Sequence, residues 1–305
     1  MATPIQFPAN FTVGGTSKEY LWNWQGKDVR VMYEFLGLGK PVLLLPAFST
    51  VSTRSEMRGI ARSLASKFQV VTLDWLGFGQ SDRFAFDYCP NMYHQMLADF
   101  VRYAFSTPVT IIAAGHAAGY ALNLAKTSPN LVSKVVLIAP TWLGPLRAMG
   151  APTIVASLVR NLVRSPLLGQ VLYYLNTTPS FLRWMYRRHV YIEDRLLTDA
   201  FITSKREITQ KSGARYAPAA FVTGRIDPVG DRAAFLHYFQ SLAIPVLVII
   251  AENAPPKSKA EMEAMAQLPE VETVKLPGTL GLHEEYPEQV VEAILPFLLA
   301  ANSQS

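Results

Sequence analysis

Short apolar runs and stretches of helical period take turns along the first half of this chain, and that alternation limits the fold more than any other feature. "KPVLLLPAF" is an apolar run between a Lys-Pro start and a loop, the form of a strand buried on both faces. "TRSEMRGIARSLAS" follows, with Met57, Ile60, Ala61 and Leu64 at helical spacing. Next come "FQVVTLDWLGFGQSDR", a strand running into a glycine-rich loop, and "MYHQMLADFVRYAF", a second amphipathic helix. "PVTIIAAGHAAGYALNLAKTSP" reads as strand, turn and helix, and "SKVVLIAPTW" as a further strand. Ahead of them all, "EYLWNWQGKDVRVMYEFLG" reads as a hairpin turning at "QGKD". Strands alternating with helices predict an α/β fold with a mostly parallel sheet and helices on both faces.

The alternation stops near residue 143. From there to about 235 the pattern is helical, broken at "SP" and "NTTPS", with no convincing strand. It resumes with the strand "IPVLVIIAEN", the helix "KAEMEAMAQL", the short strand "ETVKLPG" and the closing helix "PEQVVEAILPFLLA". This layout predicts a core built from residues 1–142 and 236–305, with a helical cap inserted at 143–235.

Half of the 305 residues are hydrophobic and 17% are charged, which supplies a sizeable core and excludes a disordered chain. No apolar run approaches the roughly 18 residues that span a bilayer, and "MATPIQFPANF" has no secretory pattern. The single cysteine, Cys89, fits a reducing compartment, so a cytoplasmic location is expected. The five histidines are scattered, without metal-ligand spacing, and neither a metal nor a cofactor is expected. Residues 143–225 carry 12 Lys/Arg against 4 Asp/Glu within a chain of net charge +5. Their segment "FLRWMYRRHVY" alternates cations with aromatics. It reads either as a solvated face with arginine stems packed over rings, or as a basic patch making peripheral membrane contact. No nucleic-acid motif accompanies it, so no nucleic-acid partner is expected.

Five segments in order resemble the α/β-hydrolase superfamily, in its capped branch. "LLLPAFS" stands where that family has its oxyanion loop, and "DWLGFGQSDR" is similar to its Asp-x-x-Gly-x-Gly-x-Ser-Asp loop. "GHAAG" matches the Gly-x-Ser-x-Gly nucleophile elbow. "IPVLVIIAENAPP" resembles the strand leading to the acid, and "LPGTLGLHEEYPEQVVEAILPFL" the closing histidine segment and last helix. The resemblance implies the α/β-hydrolase fold and a serine–histidine–carboxylate triad.

Each triad position holds a residue without the required chemistry. The elbow position is Ala117, the acid position Ala254 and the base position Leu280. His283 falls on a second histidine of the pattern, and a three-residue deletion would promote it to the base. A serine replaced deliberately would explain Ala117 alone; three losses together point to a lineage that does not use the triad. What the resemblance leaves is an oxyanion site made by backbone N–H groups at Ala118 and at Ala47 or Phe48, which side-chain replacement does not remove.

Other candidates have two readings each. His116 is either a pocket residue or a scaffold histidine, and Ser49 and Thr50 either meet a substrate or cap the next helix. Asp74 reads as a structural loop aspartate. Trp75 and Trp142 are expected to line a cavity. Glu252 and Asn253 either replace the acid or make loop bonds, while Glu284 and Glu285 suit a helix N-terminus. Cys89 has no base in its motif. Met149, Leu172, Tyr173, Tyr174, Phe181, Trp184 and Met185 read as cap core, over a pocket for an apolar small molecule. Three functions follow: non-covalent catalysis of the lyase, isomerase or cyclase kind, a pseudo-hydrolase that binds a ligand or partner, or an esterase-like hydrolase disabled at Ala117.

Overall fold

The computed structural model describes residues 11–240 and 242–301. Its eight strands form one sheet in the order β1-β2-β4-β3-β5-β6-β7-β8. The strands are β1 (Thr16–Trp24), β2 (Lys27–Leu36), β3 (Lys40–Leu45), β4 (Phe68–Leu73), β5 (Val109–Ala114), β6 (Val132–Ile138), β7 (Val246–Ala251) and β8 (Val271–Leu276). β2 is antiparallel to both its neighbours, and every other pairing is parallel. The hairpin turns on Gln25 and Gly26 alone, both at positive φ (50° and 82°), with Lys27 and Asp28 already in the ladder. That is the two-residue turn whose twist matches the strands it joins.

Core helices alternate with the strands: α1 (Arg58–Leu64), α2 (Pro90–Ala104) and α3 (Ala117–Thr127) before β6. Between β6 and β7 the chain is helical, with no strand among the described residues: α4 (Pro145–Ala148), α5 (Thr153–Arg164), α6 (Leu168–Leu175), α7 (Pro179–Met185), α8 (Asp199–Thr209), α9 (Tyr216–Val222) and α10 (Arg232–Leu236). α11 (Pro256–Met265), α12 (Leu282–Glu285) and α13 (Pro287–Leu299) complete the chain. This is the α/β-hydrolase architecture.

Strands β3 to β7 are buried on both faces, which is why they read as continuous apolar runs. The inserted helices do not form one separate body. Ala217, Ala220, Ile226, Phe235 and Phe239 belong to the main core, whereas Leu182, Tyr186, Tyr191, Leu197 and Ile202 make a second small core with Val51. Of the cap residues expected inside, Tyr173 is buried and Leu172 and Met185 are half-buried. Met149, Tyr174, Phe181 and Trp184 are exposed instead. Helical spacing identifies an apolar face without saying which way it points.

Candidate functional site

The sheet's chain order reverses at β3, between β4 and β5, so the loops leaving β3 and β5 diverge there. Such a switch point, at the C-terminal ends of parallel strands, is where open α/β sheets take ligands. The 46–50 loop and the elbow meet at this place: a Cβ on Gly115 would lie 3.1 Å from Ala47 Cβ. The elbow is tied to the end of β6, with Gly115 N–H donating to Ile138 O (2.9 Å) and Thr141 N–H to Gly115 O (3.1 Å).

The strain of a nucleophile turn is missing from Ala117. Ala117 is the first residue of α3, and His116 before it is already in the right-handed helical region. The left-handed residue is Gly115 (φ 51°), where glycine adopts that conformation at no steric cost. Among the described residues only Gln25 and Ala139 take positive φ without being glycine. The expected oxyanion donor is also spent, because Ala118 N–H donates to Gly115 O at 3.2 Å. Ala117 and Ala118 are both fully buried.

Aromatic rings pack over the elbow. Phe48 stacks on Trp75 (centroids 4.7 Å) and meets Tyr120 (5.4 Å), His116 (5.9 Å) and Phe221 (6.4 Å). Backbone carbonyls take the polar tips: Trp75 Nε1 donates to Pro46 O, Tyr93 OH to Leu76 O and Tyr120 OH to Ile226 O. Trp75 is therefore a buried prop for the 46–50 loop, not a cavity wall. Ser49 Oγ accepts from Val51 N–H inside the loop, and Thr53, three residues after the predicted Thr50, caps the turn that follows.

One titratable pair adjoins the elbow, and half of it lay outside the sequence reading. His116 Nε2 is 3.1 Å from Ile226 O and 3.5 Å from Asp227 Oδ1. A carbonyl only accepts, so Nε2 carries the proton and Nδ1 is left as a buried, unpartnered lone pair. Burial pushes the His116 pKa down to about 4, against the small opposing effect of the Ile226 bond. Burial likewise pushes Asp227 up to about 7, opposed by the Gly144 N–H bond (2.7 Å) and by Arg147. Asp227 Oδ2 has no partner. "GRIDPVG" gave one local signal, a carboxylate beside proline inside basic text. Only the fold brings it to the elbow, where a Cβ on Gly119 would lie 2.3 Å from Pro228 Cγ.

The remaining sequence candidates are dispersed. Asp74 accepts from Arg54 N–H (2.6 Å), the Arg54 guanidinium and Gln80 N–H (2.8 Å), and Arg54 also pairs with Glu34 (2.7 Å); Asp74, Arg54 and Glu34 are fully buried. Ala254 is buried and Leu280 half-buried at the main core. Asn253 Oδ1 accepts from Gly278 N–H (3.2 Å), and Glu252 is exposed. Trp142 donates to Glu261 (3.3 Å) and lines a 280 Å³ cleft with Thr141, Leu143, Arg232 and Lys257. His283 faces Glu56 at 3.6 Å, and Lys205 joins Glu56 (3.5 Å) to Glu284 (2.7 Å). Glu285 accepts from Ile192 and Glu193 N–H groups, which ties α12 to the 190–193 segment. Cys89 is half-buried and free. No group of metal-binding side chains occurs among the described residues.

A family model described as alpha/beta hydrolase fold matches residues 40–280. Among solved structures, the Cif epoxide hydrolase of Acinetobacter nosocomialis superposes with a TM-score of 0.74 at 14% identity, covering 98% of this chain and 99% of that one. A thermophilic esterase from Thermogutta terrifontis gives 0.69 at 19% identity (93% and 98% covered). A bromoperoxidase from Bacillus anthracis gives 0.70 at 18% identity (93% and 100% covered). At such identities the likeness extends to the fold alone. An uncharacterized protein of Mycobacterium bovis is 30% identical over 110 residues, 36% of this chain and 32% of that protein. The match thus spans about a third of that relative's length.

Proposed function

The chain belongs to the alpha/beta hydrolase fold family, and we propose that it is a member that binds an apolar small molecule without cutting it. The observation that carries this reading is the relaxed elbow. Ala117 has no nucleophilic atom, its backbone is ordinary helix, and the Ala118 N–H is already bonded. A nucleophile needs both the atom and the strained presentation. The Trp142 cleft at the ends of β6 and β7 is the ligand site we favour, under helices of the 143–235 cap. The single cysteine is compatible with the cytoplasmic location we propose.

The test is active-site labelling with a fluorophosphonate probe, on the native chain and on Ala117→Ser. Neither form is expected to label, because serine restored on an unstrained turn meets no base. Labelling of the native chain overturns the reading, and labelling of the variant shows a concealed base.

A second reading rests on the His116–Asp227 pair, whose pKa values are driven past one another in a dry site, leaving a neutral imidazole beside a carboxyl poised near neutrality, as in acid/base pairs that transfer protons without a covalent intermediate. It requires exchange of the α-hydrogens of an apolar ketone such as cyclohexanone in D2O, lost in Asp227→Asn.

A further inference from the structure

The cap carries an amphipathic helix whose apolar stripe faces outward. On α5 the buried and half-buried positions are Ala156, Ser157, Val159, Arg160, Val163 and Arg164. Ile154, Val155, Leu158 and Leu162 are exposed by 75%, 46%, 64% and 43%. Positions spaced by four share one helix face, so Ile154, Leu158 and Leu162 form a single exposed row. Arg164 turns inward and donates to the Phe86 (2.6 Å) and Ala85 (3.2 Å) carbonyls. α6 packs against α5 and does the same, leaving Val171 and Leu175 exposed, with Leu167 at 85% in the connection. An apolar surface of two adjacent helices marks a place of contact.

Charge decides what covers it. Residues 143–192 contain six arginines and no Asp or Glu. A 220 Å³ cleft opens at the root of α5, lined by Arg147, Arg160 and Arg225 with Thr153, Ser157 and Thr223. Arg225 pairs with Asp87 (3.0 Å), but Arg160 keeps a buried Nε with no hydrogen-bond partner. Farther along, exposed Trp184 stands beside Phe181 (5.6 Å) and close in sequence to exposed Arg187 and Arg188. Apolar rows with arginine at their margin, and an exposed tryptophan on the same inserted segment, are the make-up of helices lying at a lipid headgroup layer. Arg187 pairs with Asp194 (2.7 Å) and Arg183 with Asp199 (2.5 Å), so the cationic contact falls to the cleft at the root of α5, where a second copy would set Arg147 and Arg160 against other arginines. An anionic bilayer supplies both apolar depth and phosphates.

We propose that α5 and α6 dock this protein peripherally on an anionic phospholipid membrane, with the arginine cleft at the root of α5 receiving a lipid phosphate. No helix among the described residues is long and apolar enough to cross a membrane, so the contact is interfacial. The docking stands whether the elbow catalyses anything or not.

The test is co-sedimentation of the full chain with vesicles of phosphatidylcholine alone and of phosphatidylcholine rich in phosphatidylglycerol, with Trp184 emission as a second readout. Binding and a blue shift are expected only with phosphatidylglycerol. Ile154→Asp with Leu158→Asp abolishes both at an unchanged melting temperature, since these side chains are exposed. Arg147→Gln with Arg160→Gln weakens partition by about thirtyfold, two cationic contacts being lost. No partition of the native chain, or undiminished partition of the Asp variant, overturns the proposal. So does binding of inorganic phosphate without vesicle binding, which assigns the cleft to a soluble anion. Lipid-free dimers that the Asp variant abolishes, again without vesicle binding, assign the face to a second copy and overturn it equally.

Discussion

At the elbow a residue without a nucleophilic atom sits on unstrained backbone. Strained φ/ψ is kept where function uses it, and here the left-handed conformation lies at Gly115, two residues before Ala117. The residue identities at 117, 254 and 280 were legible in the sequence, but the relaxed turn and the occupied Ala118 N–H were not, because motif spacing carries no dihedral angles. Asp227 was illegible for another reason: its neighbours Gly144 and His116 are remote in sequence. Its raised pKa makes a prediction with a definite sign. With a folded-state value near 7 against an ordinary 3.8, its contribution is fully favourable below about pH 4 and is lost as pH rises through 7. Asp227→Asn removes this loss while its Oδ1 still accepts from Gly144. The variant's unfolding free energy should match the native chain's near pH 4 and exceed it at pH 8, by an amount on the order of 2–4 kcal/mol. His116 and His94, both held near 4 by burial, destabilise the native state as pH falls below 6.5, equally in both proteins, so they cancel in the difference. An unchanged difference across this range would remove Asp227 from the account.

Between elements, the cap is held by a buried ionic joint. Lys205 on α8 lies between Glu56, ahead of α1, and Glu284 on α12, with Tyr186 and Phe201 rings around it. Burial works against its charge, yet Glu284 and Glu56 together hold its pKa above the ordinary lysine value. Lys205→Met leaves buried Glu56 facing half-buried Glu284 without a cation between them, a loss of roughly 3 kcal/mol. Hydrogen exchange should quicken across residues 186–202, in the small cap core, and stay slow in β5 and β6. Adding Glu284→Gln should recover part of the loss; strict additivity of the two changes would show that the pair is not coupled. The elements themselves were readable, since β3 to β7 are continuous apolar runs and α1 to α3 have a clear helical period. Their partners were not readable. A carboxylate in "HEEYPE" reads as a helix-start residue, and only the packing of α8 makes Glu284 one side of an ion pair.

At the scale of the molecule, the alternation of elements predicted a parallel sheet, but strand order depends on pairings across the chain that no local pattern encodes. The helical run between β6 and β7 was visible as a change of period, whereas the packing of Ala217, Ala220, Ile226, Phe235 and Phe239 into the main core was hidden because those helices read like the rest. The same holds for polarity: amphipathic spacing predicted buried cap residues, and the fold turned α5 and α6 outward. The five tryptophans record this arrangement. Trp22, Trp24, Trp75 and Trp142 are each less than a tenth exposed, and Trp184 is 55% exposed. Collisional quenching by acrylamide should therefore divide the emission into a small accessible component and a large protected one. Trp184→Phe should delete the accessible component, leaving a native chain almost indifferent to acrylamide, and denaturation in guanidinium should make all remaining tryptophans accessible. If the variant quenches as readily as the native chain, a second tryptophan faces water, and Trp184 loses its standing as the reporter of the cap surface. If it does not quench, the emission shift on vesicles belongs to Trp184 alone, and it localises the contact to the cap.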